Sequence, residues 1–159
     1  MPIDGHAVPR QLSHSALGPG RVTSFAFTPD GERVVYVASQ ALDNVFELFV
    51  VPVRGGRHPV RLNAPLVDRG DVVEFAIRPD GTRVLYLADQ EVDRAYELYS
   101  VSIHGGVVSK VNAPLAGRSL GDFIIDPRGQ RVVYNGEQES DDVSSSSARR
   151  WTEEGLRPS

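Results

Sequence analysis

Cysteine is absent from this chain of 159 residues, which excludes disulfides, zinc–thiolate sites and thiol catalysis together. That absence does not fix a compartment, because an exported protein need not carry disulfides. No apolar run approaches the roughly 20 residues that a bilayer span requires, so no membrane-spanning segment is expected. The start, Met1-Pro2-Ile3-Asp4-Gly5-His6, offers neither a basic cluster nor an apolar stretch and does not read as a signal peptide. Taken at face value, the chain stays in the cytoplasm. Positive charge is in the minority: 17 Lys and Arg face 21 Asp and Glu, a net charge of −4. No basic stripe interleaves with aromatics, so no nucleic-acid partner is expected. Helical periodicity is also missing over any length that an amphipathic helix would need.

What the chain does have is an internal repeat. Phe25-Ala26-Phe27-Thr28-Pro29-Asp30-Gly31 returns as Phe75-Ala76-Ile77-Arg78-Pro79-Asp80-Gly81, and again, more worn, as Phe123-Ile124-Ile125-Asp126-Pro127-Arg128-Gly129. Arg33-Val34-Val35-Tyr36 then matches Arg83-Val84-Leu85-Tyr86 and Arg131-Val132-Val133-Tyr134. Phe46-Glu47-Leu48-Phe49 matches Tyr96-Glu97-Leu98-Tyr99, Gly55-Gly56 answers Gly105-Gly106, and Asn63-Ala64-Pro65-Leu66 answers Asn112-Ala113-Pro114-Leu115. A tandem unit of this length cannot bury its own apolar face, so neighbours must stack to make a core.

Each unit reads as four short strands. In the second they are Val72 to Ile77, Arg83 to Ala88, Tyr96 to Ile103, and a fourth near Val107 to Val111. Pro-Asp-Gly supplies the first turn: Pro presets φ, Asp bonds its own backbone, and Gly takes positive φ. Gly105-Gly106 closes the last hairpin. Four antiparallel strands recurring every ~40–50 residues predict an all-β fold, a partial β-propeller of four-stranded blades. The recurring Tyr36, Tyr86 and Tyr134, with Phe49 and Tyr99, are expected to pack blade against blade. Arg33, Arg83 and Arg131 are expected beside the turn, pairing with Asp30 and Asp80 across it.

The pattern aromatic-x-aromatic-x-Pro-Asp-Gly, Arg-Val-x-Tyr, Glu-Leu-Tyr-x-Val and Gly-Gly resembles the TolB-like, WD40-like propeller repeat known as PD40. The resemblance covers nearly everything from Pro2 to Val143. It departs where Trp commonly precedes the turn, since Phe27, Ile77 and Ile125 stand there. It implies a fold and says little about activity, because such propellers serve both as interaction platforms and as accessory domains of peptidases. It also implies export for many relatives, which leaves the compartment open.

The units run over about 1–21, 22–69, 70–119 and 120–143, giving two nearly whole blades and parts of two more. Pro2-Ile3-Asp4-Gly5 aligns with Pro52-Val53-Arg54-Gly55, so the start falls inside the third strand of a unit. Residues 144–159 depart from the repeat. They read as a disordered polar tail or, more sharply, as the repeat in a shifted reading frame. One added base before Ser144 allows a Phe-Glu-Leu-Phe strand and a Gly-Gly turn, and Trp151-Thr152 then forces Asp. Propellers need ~4–8 blades to protect their edges, so self-association through open edge strands is expected.

No residue set makes a catalytic site: there is no G-x-S-x-G elbow and no Gly-rich phosphate cradle. His6, His14, His58 and His104 share no metal-ligand spacing. The acidic loops Asp89-Gln90-Glu91-Val92-Asp93 and Glu137-Gln138-Glu139-Ser140-Asp141-Asp142 are the remaining candidates. Asp89, Glu91 and Asp93 could wrap a hard cation such as Ca²⁺; the plainer reading is a solvated turn, with no cofactor. The expectation is therefore a noncatalytic propeller fragment from a scaffold that binds a protein or peptide. The alternatives are the propeller of a prolyl-oligopeptidase-type serine peptidase, and the nonfunctional product of a broken gene.

Overall fold

A computed structural model describes residues 11–13, 20–40, 44–113 and 119–136, together with the backbone of 147–150. The Pro-Asp-Gly segments fold as their chemistry dictates. Gly31, at φ 70°, donates its N–H to Thr28 O at 2.8 Å, and Glu32 N–H reaches the Asp30 carboxylate at 2.9 Å. Gly81, at φ 72°, donates to Arg78 O at 2.8 Å, while Thr82 N–H reaches Asp80 at 3.0 Å. In the third copy the carboxylate has moved. Arg128 stands at the Asp position, and Asp126, two places earlier, accepts the N–H groups of Gln130 and Arg131. The worn copy thus keeps its turn by another route.

These turns join strands into three antiparallel sheets. The first contains β1 (Arg21–Phe27), β2 (Arg33–Ser39), β3 (Glu47–Pro52) and β4 (Val60–Arg61) in chain order. The second repeats the arrangement with β5 (Val72–Ile77), β6 (Arg83–Ala88), β7 (Glu97–Ser102) and β8 (Ser109–Lys110). The third holds β9 (Leu120–Ile125), β10 (Arg131–Gly136) and β11 (Ser147–Arg150), ordered β11-β10-β9. Among the described residues there is no helix. The register repeats as well: Tyr36 faces Phe49 as Tyr86 faces Tyr99, and each pair of rings stacks, at 5.6 and 5.4 Å.

Both faces of the central sheet are covered, so its strands read as continuous apolar runs with period 2 splitting them between two cores. Val84, Tyr86, Tyr99 and Val101 meet Val35, Val37, Leu48 and Val50 of the first sheet. Leu85, Leu87 and Leu98 meet Phe123, Val132 and Tyr134 of the third. Tyr86, Tyr99 and Tyr134 therefore pack between blades, as expected, while Tyr36 and Phe49 cluster with residues of their own sheet and with Leu12 and Val53. Burial of this kind contributes about 25 cal/mol per Å² of apolar surface, and the blades stabilise one another through it. Backbone bonds cross the same boundaries: Val72 N–H donates to Phe46 O, and Leu120 N–H to Tyr96 O, each at 2.8 Å.

Two strand predictions need adjusting. The third strand of the second unit is one residue shorter at each end than Tyr96–Ile103. The fourth strand shrinks to two residues, Ser109–Lys110. Its far end is set by Asn112, whose buried side chain accepts Leu98 N–H at 2.8 Å in place of the carbonyl that would extend the ladder. Asn63 does the same for Leu48 N–H at 2.8 Å.

Four residues of the tail have a described backbone. Ser147–Arg150 runs antiparallel to Arg131–Tyr134, with Ser147 opposite Tyr134. That separation of thirteen residues is the one between Tyr36 and Phe49 and between Tyr86 and Tyr99. An open edge of β10 presents unpaired backbone groups, which accept a strand of almost any sequence. Residues 1–10, 137–146 and 151–159 lie outside the described residues, with the blade start at Pro2, His6, His14, the second acidic loop and the rest of the shifted-frame segment.

Candidate functional site: the groove between first strands

Each sheet begins with an edge strand, and β1 and β5 stand side by side with a groove between them. Ser24 and Ala26 are opposite Val37 and Val35, so they point toward the second sheet. Phe75 and Ile77 lean against the core from the other side. Two small residues against two large ones leave a cavity of about 450 Å³, lined also by Val73 and Glu74, with Phe25 and Phe27 on its rim. A register break between Val72 and Glu74, the mark of a β-bulge, accompanies Val73 being half exposed at 50%.

Glu74 stands opposite Leu87, so its side chain faces the third sheet and not the groove. Burial pushes its carboxyl above the ordinary value, and the negative charge of Asp122, with a hydrogen bond between the two groups, pushes it further. The groove itself is an apolar trough, and the acidic pair lies on the other face of β5.

The candidate cation ligands lie elsewhere and serve other partners. Asp89 is 2% exposed; its two oxygens accept Asp71 N–H at 2.6 Å and Arg94 N–H at 2.9 Å. Glu91 takes Lys110 Nζ at 2.7 Å, and Asp93 is exposed. Among the described residues no three His, Cys, Asp or Glu side chains are grouped to hold a metal. His58 and His104 are exposed beside their Gly-Gly turns. Arg33 approaches Asp30 at 3.9 Å, as read. Asp80, however, pairs with Arg78 at 3.3 Å, and Arg83 Nε donates to Ser100 Oγ at 2.9 Å.

Sequence reasoning missed several buried polar residues that hold the blades. Tyr36 Oη donates to Gln40 Oε1 at 3.0 Å, and Tyr86 Oη to Gln90 Oε1 at 2.7 Å. The signal was present, since Gln follows Tyr by four residues in each unit. Asn63 and Asn112 were visible as repeats without a role attached. The groove had no local signature.

Neither a family model nor a curated protein matches the chain. Solved structures do. TolB from Acinetobacter baumannii aligns over 79% of this chain and 29% of its own, at 14% identity and a TM-score of 0.56. A structure from an analysis of two prolyl endopeptidases aligns over 86% of this chain and 21% of its own, at 16% identity and TM-score 0.62. A puromycin-hydrolysing peptidase of Mycobacterium tuberculosis aligns over 91% and 22%, at 17% identity and TM-score 0.59. The chain spans less than a third of any of these three. At such identities the likeness is one of fold: consecutive four-stranded blades of a β-propeller.

Proposed function

We propose that this chain is a noncatalytic propeller fragment that binds an extended protein or peptide segment in the groove between β1 and β5. The observation carrying this reading is the trough itself, apolar along Ala26, Val73, Phe75 and Ile77. An extended segment would lay alternate apolar side chains into it. Peptides selected from a displayed library should be apolar at alternate positions. The Val73→Asp variant should weaken them at least tenfold in calorimetric titration. Selected peptides that bind the variant as tightly as the parent chain would sink the reading.

A second reading, the propeller of a serine peptidase, has support in the two peptidase structures, which this chain matches over 86% and 91% of its length. The neighbouring DNA decides between them. An adjoining α/β-hydrolase reading frame would favour the peptidase, and propeller repeats resuming in another frame after Val143 would favour a broken gene.

A further inference from the structure

The walls of the groove carry backbone polarity as well as apolar side chains. Thr28 N–H donates to Arg33 O at 3.0 Å, and the antiparallel pattern alternates from that pair onward. Ala26 and Ser24 therefore exchange their backbone bonds with Val35 and Val37, while the N–H and C=O groups of Phe25 and Phe27 point away from β2. Arg78 N–H, donating to Arg83 O at 2.9 Å, sets the same phase in β5. Phe75 and Ile77 thus turn their peptide groups away from β6. All four residues line the groove. Unpaired backbone groups on both walls suit an extended peptide, whereas a lipid chain would leave them unmatched.

One side chain adds to them. Ser24 lines the groove and is half-buried, and among the described residues its hydroxyl has no hydrogen-bond partner. The repeat supplies an internal comparison. At the joint between the second and third sheets, Ala76, Phe123 and Ile125 keep the places of Ala26, Phe75 and Ile77, but Glu74 takes the place of Ser24. The Glu74 carboxyl reaches across that joint to Asp122 of β9. A small neutral hydroxyl therefore stands at one joint where a longer, bridging side chain stands at the next.

We infer, taking the groove as the peptide site proposed above, that Ser24 selects its occupant: an extended segment, uncharged over the residues it seats, whose backbone bonds the Ser24 hydroxyl. Ser24 leaves the trough open, and Glu74 shuts the equivalent trough at the next joint. Neutrality follows from the lining, since no charged side chain faces the trough and a seated Lys or Asp would be desolvated without a counter-charge. A hydroxyl placed among apolar walls is also what fixes the register of a ligand that otherwise slides.

The test is calorimetric titration of one peptide, selected by display on the full chain, into the parent and four variants. Ser24→Ala should bind it about three- to tenfold more weakly, the worth of one hydrogen bond. Ser24→Thr, which keeps the hydroxyl, should stay close to the parent. Ser24→Glu should weaken binding by roughly a hundredfold or more, through a charge set in the trough. Glu74→Ser should open the second joint and raise the stoichiometry from one peptide per chain to two. Ser24 is half-buried at the groove and not in the core, so circular dichroism and melting of its variants should match the parent. Equal affinity in Ser24→Ala and Ser24→Glu, or a stoichiometry that stays at one in Glu74→Ser, would overturn the role of Ser24. The groove reading would survive that outcome if Val73→Asp still weakened the same peptide. A library yielding no peptide for the parent would overturn both.

Discussion

Glu47 and Glu97 stand at the same place at the head of the third strand, and one hydroxyl separates their circumstances. Glu97 Oε2 accepts Tyr99 Oη at 3.1 Å and Lys110 Nζ at 2.7 Å. Glu47 Oε1 accepts Arg61 at 2.8 Å, but its buried Oε2 has no hydrogen-bond partner. Phe49 occupies the place of Tyr99, so the missing donor is a phenol that this unit does not carry. Leaving a buried acceptor unmatched costs about 1–3 kcal/mol. Phe49→Tyr should therefore raise stability in urea denaturation by about 1 kcal/mol, and Tyr99→Phe should lower it by a similar amount. A destabilised Phe49→Tyr would show that the lone oxygen is not what weakens this blade. The phenols elsewhere remain donors at any physiological pH: burial pushes Tyr36 up to about 12 while its Oη stays bonded to Gln40.

At the scale of the element, the turn aspartates tie stability to pH. Asp30 lies below its ordinary 3.8 chiefly through the Thr28 hydroxyl and then Glu32 N–H; Asp126 does so chiefly through Arg131 N–H. For Asp80 burial acts upward, but Thr82 N–H, the Thr82 hydroxyl and Arg78 outweigh it. A carboxyl held low in the folded state stabilises above its unfolded value and loses that contribution as pH falls through the folded value. The melting temperature should thus decline as pH drops below about 4. In a variant carrying Asp30→Asn, Asp80→Asn and Asp126→Asn that decline should be shallower. An unchanged slope would assign acid lability to other groups. Elements were also what the sequence disclosed best. β5 and β6 occupy the predicted residues because β-branched runs bounded by Pro-Asp-Gly leave little choice. The fourth strand was overread, because nothing in Val107–Val111 announces that Asn112 will intercept Leu98.

For the whole molecule, one residue type at one repeat position carries different weight by place in the stack. Phe25 is 72% exposed, Phe75 half-buried and Phe123 only 7% exposed. Phe123→Ala should cost about 3–5 kcal/mol, as core truncations do. Phe25→Ala, measured in dilute solution, should stay within about 0.5 kcal/mol. Equal costs at both ends would contradict the stacked order. The groove belongs to this scale too, which is why it escaped the sequence: Ala26 and Phe75 are 49 residues apart and meet only because consecutive blades align. One arrangement has a practical side. The outer rim of the first two blades rests on a ladder of two residues followed by an asparagine amide, so the backbone of Gly106 and Val107, ahead of that ladder, contributes little to cohesion. A fluorescent label or epitope spliced beside Val107, itself 86% exposed, would ride on the perimeter and report on the stack without loosening it.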